Sequence, residues 1–341
     1  DDATSSDDDD ATPVDDGPTG WIGAACTSDA DCDYADGACL LEGEGFPRGT
    51  CSLGCDLYCP DLEDRPFTFC ASDADLPATA PVLGDGACLS RCDFEYFPDT
   101  GCRPDYGCRV AERANETSTE KYVCLPGVET DLSPCQLDLA ARGVAFEPTI
   151  RAVDHPTGLP NVDCIIDSPV WLKSPVLGVE LRNTSGAETE QVLAACGMAH
   201  AVVDTVLDVL PWSVEAIRHI GTYNCRVIAN TTTLSQHGLA NAIDIFGFDF
   251  ADGTLWTLED DWEHDTTSFS TDGAEWLHTT AYRWNAQEIW NIILTPNYNS
   301  AHDNHFHVDM TTGSDFIGLL ELPWDVDPTA PHWIGPAPYD D

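Results

Sequence analysis

His237 and Asp244 stand seven residues apart in the run from Leu234 to Phe250, separated mainly by the small residues Gly238, Ala240 and Ala242. An imidazole and a carboxylate are both ligands that a zinc ion accepts, and neither fills the coordination sphere alone. The missing nitrogen is offered downstream, where Ala301 to Asp309 packs His302, His305 and His307 together with Asp303 and Asp309. On a strand, His305 and His307 project from one face while Phe306 and Val308 project from the other, toward a core. Either histidine, or both, can complete the site. Three protein ligands would leave a fourth position for water, the arrangement of a catalytic zinc, whose bound water deprotonates near neutral pH. Arg226 offers a guanidinium that can hold a substrate carboxylate or a developing oxyanion bidentately. Ser235 and Asp309 are candidates for fixing the orientation of the ligands.

Positioning such a group requires two strands and a framework, and the pattern around the motifs supplies them. Ala242 to Phe250 reads as a strand that turns at Ala251-Asp252-Gly253 into Thr254 to Leu258, making a hairpin. His305 to Met310 reads as the closing strand, and Ile217 to Ile228 as another. Ser185-Gly-Ala-Glu188 has the form of a capping box opening a helix through Val192 to Leu210, stopped by Pro211. Ala274 to Leu294 is a second amphipathic helix. Strands and helices that do not alternate predict an α+β fold around a small, largely antiparallel sheet with flanking helices.

The chain before this domain has another composition. Residues 1–20 carry eight aspartates and no basic residue, which predicts a disordered acidic tether. Residues 21–128 hold twelve of the sixteen cysteines with many glycines and prolines, the signature of a disulfide-stapled module. Gly49 to Asp56 recurs as Gly86 to Asp93, each followed by Pro-Asp (Pro60-Asp61 and Pro98-Asp99), which points to two copies of one unit. Asp29-x-Asp31-x-Asp33 resembles the opening of a calcium loop but lacks its Gly and Glu, and reads as an acidic turn. The domain at 135–322 has only Cys135, Cys164, Cys196 and Cys225, read as bridges Cys135–Cys164 and Cys196–Cys225. Residues 323–341 read as a Pro-rich C-terminal arm.

So many cysteines without a Cys-x-x-Cys pair imply disulfides and a secreted or extracytoplasmic location. A net charge of −46, from 60 acidic and 14 basic residues, argues against nucleic acid as a partner. No apolar run is long enough to make a membrane-spanning segment. His155, His200, His219, His264, His278 and His332 have no partner pattern and read as structural.

Ser235-x-His237-x-x-Ala240-x-Ala242-x-Asp244, with the closing His305-x-His307, resembles the signature of zinc peptidases that cleave D-alanyl and related bonds in peptidoglycan. Tyr223 to Arg226, Ala242 to Phe248 and Pro296 to Met310 resemble more closely the bacterial extensin-like C-terminal domain family of that superfamily, over roughly Cys135 to Thr312. The departures are Ala240, where the superfamily has Gly, and the helix before Pro296, which lacks a cysteine that many extensin-like domains carry. The resemblance implies a hedgehog/D-Ala-D-Ala peptidase-like fold, Zn2+ held by His237, Asp244 and His307, and His305 beside the metal to orient water or stabilise the oxyanion. Related peptidases place the base just before the last ligand, which implies His302, with Asp303 second. The expectation is therefore a zinc metallopeptidase acting on peptidoglycan or another wall peptide, the alternative being a catalytically silent, zinc-stabilised wall-binding protein.

Overall fold

The computed structural model describes residues 19–63, 65–92, 101–229 and 231–318. The tether expected at 1–20 lies almost wholly outside the described residues, as do Pro98-Asp99 and the C-terminal arm. The chain divides into two units between Asp131 and Leu132.

The first unit is built from short antiparallel strands: β1 (Ala38–Leu40), β2 (Thr50–Ser52), β3 (Gly54–Cys55), β4 (Thr68–Ser72), β5 (Gly86–Ser90), β6 (Tyr106–Arg113) and β7 (Glu116–Pro126). β1 pairs with β2, and the rest form a sheet in the order β3-β5-β4-β6-β7. Six disulfides lock it: Cys26–Cys39, Cys32–Cys51, Cys55–Cys70, Cys59–Cys88, Cys92–Cys108 and Cys102–Cys124. Taken in chain order, every group of four cysteines is joined first to third and second to fourth. In each group the third and fourth face one another across a hairpin, as Cys39↔Cys51, Cys70↔Cys88 and Cys108↔Cys124. The module is therefore three copies of one cross-linked hairpin, where the sequence showed two. The visible duplication, Gly49–Asp56 and Gly86–Asp93, marks the two junctions between copies. The acidic turn at Asp29–Asp33 is engaged internally. Asp31 accepts from the backbone N–H groups of Thr27 and Ser28, and Asp29 from that of Cys39.

The second unit is α+β. Ser133 caps α1 (Pro134–Ala141) in a reciprocal box with Gln136. β8 (Phe146–Pro148), β9 (Val170–Lys173) and β11 (Gln191–Ala194) make a small antiparallel sheet, and β10 (Glu180–Asn183) joins the main one. Then follow α2 (Cys196–Val209), β12 (Val214–Gly221), β13 (Ala242–Phe250), β14 (Leu255–Thr257), α3 (Leu258–Asp261), α4 (Asp272–Ala286), β15 (Ile292–Leu294), β16 (Phe306–Asp309) and β17 (Phe316–Gly318). The main sheet runs β10-β12-β13-β16-β15-β17, with β14 on β13, and is largely antiparallel.

Four expectations need correction. Residues 191–194 are strand rather than helix, because they pair with β9, and the helix starts only at Cys196. The second amphipathic helix ends at Ala286, since Glu288 takes a left-handed φ of 55° and Ile292–Leu294 pairs with β16. The strand read over 217–228 is Val214–Gly221. The disulfides are Cys135–Cys196 and Cys164–Cys225, not the neighbouring pairs. Cys135–Cys196 ties the first turn of α2 to α1, and Cys164–Cys225 fastens the loop after β12.

The core of this unit lies between the main sheet and α4. Trp284 packs edge-on to Phe306 and tilted against Phe248, and Trp276 meets Phe248 and Phe250. Two of the buried indole N–H groups reach across to α2, Trp284 donating to Asp208 and Trp290 to Thr205, while that of Trp276 has no hydrogen-bond partner among the described residues. Among the described residues no helix is long and apolar enough to cross a membrane.

Candidate metal centre

Sheet register brings two of the three predicted ligands together. β13 and β16 are antiparallel neighbours, and Asp244 stands directly opposite His307. Ile245 opposite Phe306 faces the other way, into the tryptophan core, so burying one face fixes which side chains the other presents. His237 comes from a single 3-10 turn, Gln236–Leu239. That turn is held by the Asn224 N–H on the His237 carbonyl and by the Asn241 amide on the Gln236 side chain. A Cβ at Gly238 would come within 3.2 Å of Cys164 Sγ, so the Cys164–Cys225 bridge packs directly beneath the turn that carries His237. Ala240, closing the turn, adopts φ 48°, ψ 33° while fully buried. This left-handed conformation is one that glycine adopts without strain and that an alanine holds at a cost.

His237 Nε2 lies 3.1 Å from Asp244 Oδ1 and 3.1 Å from His307 Nδ1, and His307 Nδ1 lies 2.9 Å from Asp244 Oδ1. Ligands at 2.0–2.1 Å from a tetrahedral zinc are separated by roughly 3.3 Å, so the triangle has close to the size of one tetrahedral face. The outer nitrogens are tied down. His237 Nδ1 donates to the Thr222 carbonyl at 3.2 Å, and His307 Nε2 donates to Asp309 Oδ2 at 3.1 Å. With those protons so placed, neutral rings turn two bare nitrogen lone pairs and a carboxylate oxygen toward one point. A proton on His307 Nδ1, held by Asp244, relieves that arrangement in part, and a divalent metal answers all three atoms at once. The donor set fits zinc.

Electrostatics follow the same geometry. Burial opposes charge on His307, but hydrogen bonds to Asp244 and Asp309 outweigh it and hold its pKa at about 9. Burial likewise opposes charge on Asp244, yet His237 and His307 draw its pKa well below the usual carboxylate range. The side chains of Asp244 and His307 keep 16% and 13% of their surface, so the group is reachable from solvent.

His305 and His302 stand beside the triangle. His305 Nε2 is 3.6 Å from Asp244 Oδ1, but His305 is not among the residues whose donor atoms all lie within 4.8 Å of each other. Its Nδ1 is tied to Asn304 Oδ1 at 2.8 Å, and the His302 Nδ1 to Asn299 Oδ1 at 2.8 Å. The His302 ring lies 5.2 Å from that of His305 and 5.9 Å from that of His307. Burial, then His305 and His307, push His302 down to about 4, and burial lowers His305.

Arg226 is tied to none of these residues by a hydrogen bond or ion pair. It is exposed on the loop after Cys225. Ser235 is buried and holds the loop through its backbone, its N–H on the Arg226 carbonyl. Sequence reasoning did not find the Thr222 carbonyl, which carries no side-chain signal, or the orienting roles of Asn299 and Asn304.

Residues 133–317 match the family described as Extensin-like protein C-terminus. The chain belongs to this family. Neither a curated protein nor a solved structure matches it. The extensin-like domain contains the whole triangle with His302, His305 and Arg226, and the cross-linked hairpins lie outside it.

Proposed function

We propose that the extensin-like domain is a zinc-dependent hydrolase of hedgehog/D-Ala-D-Ala peptidase type, cutting peptide bonds in peptidoglycan from an extracytoplasmic location. The supporting observation is the convergence of His237 Nε2, Asp244 Oδ1 and His307 Nδ1, with both outer nitrogens anchored. Eight disulfides with no free cysteine fit an oxidising compartment.

When bound, zinc polarises the scissile carbonyl and brings the pKa of water near 7. The remaining work falls to the chain. His237, Asp244 and His307 hold the cation while their anchors keep the rings from turning. His302, with Nδ1–H on Asn299, keeps a free Nε2 lone pair and stays neutral in neutral solution, as a proton acceptor must. His305, with Nδ1–H on Asn304, likewise presents a lone pair. It can orient water by accepting its hydrogen, and this tautomer does not donate to an oxyanion. Arg226 supplies an exposed guanidinium for a substrate carboxylate.

The test joins metal analysis with digestion of purified peptidoglycan and mass measurement of the products. His237→Ala is expected to lose stoichiometric zinc, and unchanged zinc would remove the site. His302→Ala is expected to keep zinc while turnover falls by roughly a hundredfold or more. The second reading, a silent zinc-stabilised wall-binding protein, draws on His305 standing 3.6 Å from Asp244, where a small shift makes a fourth ligand. Full zinc occupancy without turnover on any wall peptide selects it.

A further inference from the structure

Beside the metal triangle the chain carries two aromatic side chains that the hydrolytic chemistry leaves unused. Tyr298 and Phe316 are 47% and 45% exposed, and their rings meet edge to face with centroids 5.9 Å apart. Tyr298 lies 5.6 Å from the ring of His302, which lies 5.9 Å from that of His307. A file of rings therefore leads from the ligands out to solvent. Backbone contacts hold it in place. The Phe316 N–H donates to the Asn291 carbonyl at 3.0 Å, and the Tyr298 N–H to that of Thr295 at 2.9 Å. Tyr298 rests over Gly318, where a Cβ would approach its Cδ2 to 2.9 Å.

The surroundings decide what such a ledge attracts. No Lys or Arg follows Arg283 in the sequence. Exposed Asp303 follows His302, and exposed Asp315 precedes Phe316. Ring faces carry negative potential and draw cations most strongly where no protein cation competes. Carboxylates nearby, on a chain of net charge −46, act in the same direction.

We propose that Tyr298 and Phe316 bind a primary ammonium group of the substrate, beside the bond presented to the metal. This rests on the hydrolase reading and narrows it: the substrate class is a wall peptide with a free side-chain amine close to the scissile bond.

The experiment titrates the zinc-loaded full chain calorimetrically with N-acetyl-lysyl-D-alanyl-D-alanine whose last peptide bond is replaced by an uncleavable alkene, and with the twin of that compound acetylated on the side-chain amine. The free amine is expected to bind roughly fivefold more tightly at low salt. Tyr298→Leu and Phe316→Leu should abolish that preference, Tyr298→Phe should retain it, and zinc content should be unchanged in all three. Equal affinity for the twins overturns the proposal. So does a loss on Tyr298→Leu shared equally by both peptides, which would make the ledge an apolar or sugar-stacking surface. Because binding is read without turnover, the two readings fail separately. Absent cleavage with the preference intact sinks only the hydrolase, and cleavage without preference sinks only the ledge.

Discussion

In the first unit six disulfides close short loops over an interior split into small clusters, two of which contain cystine sulfur themselves. In the second, two disulfides accompany a core filled by Trp284, Trp290, Phe248 and Phe306. Cross-links restrict the unfolded chain without demanding particular packing, so they suit a segment with little to bury. The candidate metal site has a stricter requirement. Three donors must meet within a few tenths of an ångström, and sheet register over a dense aromatic core achieves that between Asp244 and His307. The second unit still places one bridge, Cys164–Cys225, under the one ligand that lies on a turn rather than a strand.

The largest test of this contrast is thiol reduction under native conditions. At about 2–4 kcal/mol per bridge, losing six should unfold the first unit. Hydrogen exchange should still find β13 and β16 protected. Loss of protection in both units together would break the contrast.

Acid should act the other way round, because all ten histidines lie after residue 150 and the first unit has none. His278 stacks on Trp262 at 3.5 Å and donates from Nε2 to the Glu263 carbonyl, and its burial depresses its pKa to about 4. Above pH 6.5 the imidazole is neutral in both the folded and unfolded chain, so it has no effect on stability. Between 6.5 and 4 the unfolded chain takes up a proton that the fold refuses, so stability falls as pH falls, by roughly 3 kcal/mol over that window. Below 4 the contribution levels off. Denaturant melts across this range should flatten in His278→Phe. An unchanged slope would assign the acid sensitivity to other histidines, such as His219, which is buried with neither ring nitrogen hydrogen-bonded.

The smallest effect expected is at Ala240. Ala240→Gly should raise stability by roughly 0.5–1 kcal/mol by relieving its left-handed backbone. A lower melting temperature would show that its methyl, packed with Ile166, Leu193 and Ala195, outweighs the strain.

The convergence of the candidate ligands was legible because an alternating strand exposes its polar residues by period, and His307 and Asp244 needed only correct pairing to meet. The α+β class was legible for the same reason. The helix starting at Cys196 was misplaced because its true N-cap is Ala195, which makes no side-chain cap, while the Ser185–Glu188 signal belongs to a turn before a strand. Strand β11 owes its state to β9, some twenty residues earlier in the chain, and pairing of that kind leaves no local mark. Cysteine pairing was opaque in the same way. Both bridges of the second unit span 61 residues, so neighbouring cysteines in sequence are not neighbours in space. Ala240 was recognisable as a departure, but only its dihedral angles explain it.

No bridge of the stapled module passes from one group of four cysteines to the next. Excising or duplicating a whole group, cut within Ser52–Gly54 and Leu89–Arg91, would orphan no thiol. The covalent frame is modular, so the span of this segment can be lengthened or shortened by whole hairpins without reshuffling any surviving bond.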